Sequence, residues 1–144
     1  MTGLIQPGED VKYVLDGDVT AVSPYNRAFV YSTAEGEVKL AQDGDTKFAG
    51  ILFTVQISKS SQAPYNTTAY DGDNVTLKKK GIIDAIADGA ISYGQAVGLG
   101  ENGALKALPD FHGTPSAEQL VLYVGFAETG AADGEKFRVR LVGK

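Results

Sequence analysis

The sequence predicts an all-β fold: a small barrel or sandwich built from two similar halves, with an extended N-terminal arm. Three observations predict it. Apolar residues alternate along many short segments, glycine turns separate those segments, and the pattern of one half returns in the other. Alternation with period two puts successive side chains on opposite faces of a half-buried strand. Its clearest cases are Ile51, Phe53, Val55 and Ile57 set against Leu52, Thr54 and Gln56, then Leu120, Leu122, Val124 and Phe126. A third is Phe137, Val139 and Leu141, with Arg138 and Arg140 facing out.

In chain order, residues 1–15 read as an arm and residues 16–144 as a single β domain. Gly3, Pro7 and Gly8 keep the first ten residues out of regular structure, and Leu4 and Ile5 have no evident core to join. Val11, Tyr13 and Leu15 continue the arm as a strand with one apolar face. An extended segment of this kind can add to the sheet edge of another protein. Weaker alternation follows at 19–22, 28–31, 38–41, 75–79, 96–99 and 105–108. The segment "GIIDAIADGA" (81–90) has Ile82, Ile83 and Ile86 at helical spacing and fits a helix or a strand. About ten short strands with frequent turns favour a sandwich or barrel.

Two polar, proline-containing segments interrupt the pattern, "SKSSQAPYNTTAY" (58–70) and "PDFHGTPSAEQ" (109–119). Loops of this length on a β scaffold commonly carry contacts with partners. Tyr65, Tyr70 and Phe111 are their aromatic residues: either they form an interface, where such residues are enriched, or they fold back on the barrel.

The triplet Asp-Gly-Asp occurs in "DGDV" (16–19), "DGDT" (43–46) and "DGDN" (71–74), with the relative "DGEK" at 133–136. A calcium loop starting at Asp71 would need an oxygen ligand at Val75, glycine at Thr76 and glutamate at Ile82, and none is present. Asp-Gly between alternating segments is instead a turn signal, because glycine tolerates positive φ.

The turns also mark an internal repeat. "YNRAFVYSTAEGEVKLA" (25–41) aligns with "YGQAVGLGENGALKAL" (93–108), matching Tyr25 with Tyr93, Ala28 with Ala96, Gly36 with Gly103 and Lys39 with Lys106. "AGILF" (49–53) then aligns with "VGFAE" (124–128), and "DGDNVTL" (71–77) with "DGEKFRV" (133–139). The ordered match of three blocks favours a structural duplication.

The order of these blocks resembles the capsid decoration, or cement, proteins of tailed phages and of viruses with the phage-type shell. It is carried by "GDNVTLKKKGIIDAIADGAISYGQAVGLGENGALKAL" followed by "YVGFAETGAADGEKFRVRLVG". The resemblance covers about residues 19–141, and it departs from the pattern in the longer loops 58–70 and 109–119 and in "GILFTVQIS". It implies a structural virion protein without enzymatic activity, made in the host cytoplasm and carried on the capsid exterior. It implies the major capsid protein as partner, bridging of neighbouring capsid subunits, and a homotrimer. On this reading Leu4, Ile5, Val11, Tyr13 and Leu15 form the capsid-binding arm. The other reading is a carbohydrate- or receptor-binding β-module on the virion or tail, with Tyr65, Tyr70 and Phe111 as a stacking platform.

Composition narrows the remaining classes. A net charge of −5 argues against a nucleic-acid partner or an anionic membrane surface. No stretch approaches the roughly 20 apolar residues of a membrane helix, and no secretory signal is evident at the N-terminus. Absence of cysteine excludes disulfides and thiolate metal sites. No catalytic residue, metal ligand or cofactor is expected. His112, the only histidine, sits in "PDFHGTP", and no G-x-S-x-G elbow accompanies it. "GLGENG" (98–103) spaces its glycines like a dinucleotide fingerprint but lies between two short strands, so it reads as a hairpin. Lys78, Lys79 and Lys80 read as a solvated strand end rather than a contact with an acidic capsid surface.

Overall fold

The structure, a computed structural model, describes residues 10–56, 68–109 and 117–142. The first half contributes β1 (Asp10–Leu15), β2 (Ala28–Tyr31), β3 (Glu37–Leu40), β4 (Phe48–Gln56) and β5 (Asn74–Lys78). The second contributes β6 (Lys80–Asp88), β7 (Ala96–Leu99), β8 (Leu105–Ala107), β9 (Tyr123–Ala127) and β10 (Lys136–Val142). Each set closes into a five-stranded barrel, in the order β1-β3-β2-β4-β5 and β6-β8-β7-β9-β10. Closure removes the exposed sheet edges that an open sheet would present over most of its length.

The two barrels repeat each other strand for strand. β1 runs parallel to β3 and antiparallel to β5, as β6 does to β8 and β10. Leu15 faces Val38 in that parallel pair, and Ala87 faces Leu105 in its counterpart. Phe29 opposes Gly50 across β2 and β4, and Val97 opposes Gly125 across β7 and β9, each beside a register shift. Even the turns agree: the Gly17 amide donates to Asp71 Oδ1 at 2.9 Å, and the Gly89 amide donates to Asp133 Oδ1 at 2.8 Å. The expected duplication is therefore present. It extends to β1 and β6, a pair that the sequence alignment leaves out.

Alternation fills the first barrel with Leu15, Phe29, Val38, Leu52, Val75 and Leu77, which form one buried cluster. The second cluster holds the interior of the other barrel, including Val97, Leu105, Phe137 and Val139. It also takes in Ala28, Val30, Phe48 and Ile51, from the outer face of β2 and β4. The first barrel thus lays an apolar outer face on the second and completes its core. Side chains of this size contribute about 1.5–3 kcal/mol each when fully buried. Polar contacts ring the junction. Asn26 Nδ2 donates to the Asp84 carbonyl at 3.0 Å, Arg27 Nη1 to the Asn102 carbonyl at 3.0 Å, and Lys106 pairs with Asp43 at 2.6 Å.

Several expectations change. Of the two readings open for "GIIDAIADGA", the strand holds through Asp88, because antiparallel pairing along the whole of β10 outweighs its helical spacing. Leu120 and Leu122 belong to a short helix, α1 (Ala117–Leu122), and the strand starts at Tyr123. Ile51 and Leu52 are both fully buried, since Leu52 fills its own barrel while Ile51 faces the other. In place of a strand at 19–22 there is a single bridge between Val19 and Ala69. The Asp-Gly turns hold positive φ as expected, at Gly17, Gly44, Gly72 and Gly134. "GLGENG" likewise forms the β7–β8 connection, with a 3-10 turn at Glu101–Gly103. No group of three or more metal-ligating side chains occurs among the described residues. No helix among them is long and apolar enough to cross a membrane.

Candidate functional site

Inward-facing positions near one end of the first barrel do not carry the apolar residues found deeper inside. Two residues before buried Leu15 stands Tyr13, two after buried Phe29 stands Tyr31, and two after buried Leu77 stands Lys79. The three meet at the mouth of the barrel. Lys79 Nζ donates to the Tyr13 hydroxyl at 2.7 Å and also to the Tyr31 hydroxyl. The same ammonium lies 5.3 Å from the centre of the Tyr13 ring and 4.9 Å from that of Tyr31. The rings meet edge to face, with centroids 6.0 Å apart and planes at 73°. These distances lie within the range of cation–π attraction.

Titration reflects the packing. Desolvation pulls the Lys79 ammonium down, but hydrogen bonds to Tyr13 and Tyr31 outweigh it and its pKa lies above the ordinary lysine value. Desolvation raises the Tyr13 phenol, with Lys79 opposing. Desolvation also acts to raise Tyr31, yet its hydrogen bonds to Lys79 and Tyr13 bring it below the usual tyrosine value. At neutral pH the mouth presents one positive charge held between two neutral phenols.

Tyr31 is 41% exposed and forms the boundary between this mouth and a cleft of about 520 Å³. Val30, Ser32, Lys39, Asp45 and Lys47 also line the cleft. The surface is polar and aromatic, with Lys39, Lys47 and Lys79 outnumbering Asp45. Ser32, in the cleft wall, donates its hydroxyl to the Asp16 carboxylate.

The residues named from sequence are dispersed. Leu4, Ile5, Tyr65 and Phe111 lie outside the described residues. Val11, Tyr13 and Leu15 lie on β1, which is a barrel strand paired to β5 along 10–14, rather than part of a free arm. Leu15 is 1% exposed and belongs to the core, Val11 and Tyr13 are half-buried, and of the three Tyr13 reaches the mouth. Tyr70 is 36% exposed in the turn before β5, where its amide donates to Asp73 at 2.9 Å. Tyr31 carries no signal of its own in the sequence, and Lys79 reads there as part of a solvated strand end. The repeat held the signal: the register that matches Tyr25 with Tyr93 also matches Tyr31 with Leu99, an apolar residue replaced by an amphipathic one.

Comparison with known proteins gives two findings. A family model described as structural cement protein (E217 gp24/Pam3 gp6) matches residues 3–142. Among solved structures, the chain is similar to one described as the crystal structure of head fiber gp8.5 N base in bacteriophage phi29. That similarity has a TM-score of 0.54 and covers 94% of each chain at 14% identity, so it concerns the fold. No curated protein matches.

Proposed function

This chain belongs to the family of phage structural cement proteins, and we propose that it binds the outside of the assembled capsid and stabilises it by bridging major capsid subunits. The observation that carries the reading is the family match across nearly the whole chain. It agrees with a double barrel whose built surface is an aromatic and cationic contact patch. The mechanism is linkage: a protein that binds the assembled shell and not its separated subunits stabilises the shell by its binding free energy. Acting as a homotrimer, the protein would present several such contacts at once, and effective concentration would then make individually weak contacts hold. Leu4 and Ile5, ahead of β1, are the apolar residues assigned to shell contact. Leu15, committed to the core, is not.

Purified particles provide the test. The ratio of this protein to the main shell protein, measured by quantitative mass spectrometry, should approach that of a component covering the shell. Surface labelling should then reach it on intact particles. A few copies per particle would place it at a vertex or tail and contradict the reading, and so would protection from label in intact particles.

A further inference from the structure

The duplication makes each surface of one half comparable with its counterpart in the other, and one pair differs sharply. In the second barrel, the positions equivalent to Tyr13, Tyr31 and Lys79 are Ala85, Leu99 and Leu141. All three are buried, and they share a cluster with the outer face of β2 and β4 of the first barrel. The mouth of the second barrel is therefore closed by the first barrel.

Backbone groups at the rims show the same contrast. Asp84 turns its carbonyl away from β10, and the Asn26 side chain meets it. Lys12 is the equivalent residue on β1, and among the described residues its carbonyl on that side has no partner. Gly103 is packed so closely that an added Cβ would lie 2.8 Å from both Arg27 Cβ and Leu40 Cδ1. At the equivalent Gly36 an added Cβ would meet nothing within 4 Å. Lys106 pairs with Asp43 across the junction, whereas the equivalent Lys39 has no ion-pair partner among the described residues. The first barrel has the same receiving surface as the second, and the described chain leaves it uncovered.

We propose that this surface receives the second barrel of another copy of the same chain, repeating between chains the contact that joins the two halves within one. The inserting face follows from the same register. Phe48 and Ile51, which close the second barrel, correspond to Tyr123 and Phe126. These are half-buried and stack edge to face, with centroids 5.3 Å apart. Inside the chain an apolar face meets an apolar mouth. Between chains an aromatic face meets a mouth of two phenols and an ammonium, a match by cation–π and aromatic contact. The contact joins unlike surfaces, so each copy offers one of each; such contacts build a ring where the rotation between copies closes, as the proposed homotrimer requires. It deepens the proposed function in one respect: it states which surfaces build the multimer.

Unlike surfaces permit a complementation test. Lys79→Glu spoils the mouth and leaves the aromatic face intact, and Phe126→Glu does the reverse. Native mass spectrometry of the wild type should show a closed oligomer, and each variant alone a monomer with a wild-type circular dichroism spectrum. Mixing the two monomers should yield a one-to-one heterodimer, because one intact mouth and one intact face remain. Formation of that heterodimer also shows that both variants are folded. Wild-type mass in either variant, no heterodimer on mixing, or a wild-type protein that stays monomeric would overturn the proposal. Shell binding by the same proteins keeps the two readings apart. Monomers that decorate shells fully would remove the inter-copy contact and leave the cement function. An oligomer that fails to bind shells would do the opposite.

Discussion

Gly36 and Gly103 hold the same backbone conformation in equivalent turns, with φ of +83° and +77°, yet one faces open space and the other is wedged against Arg27 and Ala28. The difference gives a paired prediction. Gly36→Ala should cost about 1–2 kcal/mol, the strain of a left-handed L-residue. Gly103→Ala should cost that plus about 1–3 kcal/mol for overpacking the junction between the barrels. Urea denaturation of both variants checks it, and equal losses would mean that the junction tolerates separation.

Asp71 and Asp133 should behave as a matched pair. Each carboxylate accepts an amide from a facing turn, at Gly17 and Gly89 respectively. Replacing either by alanine removes that bond while leaving the freed amide near solvent, so the expected loss is about 1 kcal/mol for each. The denaturation midpoint should fall with an unchanged m-value. Calcium should not alter either midpoint if these residues serve as turn acceptors.

The Lys79 cluster predicts a stability change at alkaline pH. Its folded pKa is raised, so its contribution is fully present below the ordinary lysine value and is lost as pH rises through the folded value. Tyr13, also raised, acts in the same direction. Tyr31 is lowered and acts oppositely, contributing as pH rises through its folded value. With two groups against one, the melting temperature should fall above about pH 10. In Lys79→Met both phenols lose the cation that lowers them, so tyrosinate absorbance should rise at higher pH than in the wild type. Tyrosinate absorbance should show Tyr31 ionising before Tyr13.

Truncation should separate contact from fold. Removing residues 1–9 is expected to weaken shell binding while keeping every described barrel strand, β1 included. Removing residues 1–15 should prevent folding altogether, because β1 bonds to both β3 and β5 and Leu15 fills the core. Full decoration by the shorter truncation would remove Leu4 and Ile5 from the contact.

Much of this architecture was legible because alternation and glycine turns are local signals. Phe137, Val139 and Leu141 read as an inward face and are one. Gly36 and Gly103 aligned by sequence and occupy equivalent turns. Illegible features arise from the docking of one half on the other. Ile51 and Leu52 are both buried because one barrel covers the other, which no single-strand pattern encodes. Ile82, Ile83 and Ile86 suggested a helix as readily as a strand, and pairing with distant β10 decided it. Tyr31 and Lys79 gain meaning when set beside Leu99 and Leu141, a comparison that depends on knowing which positions face inward.

If this protein holds shells together as proposed, the most direct measurement is the temperature at which purified shells disassemble with and without it bound. Saturated shells should survive to a higher temperature than bare ones, with the gain rising with occupancy and vanishing when the protein is stripped. Identical disassembly temperatures at full occupancy would contradict the claim.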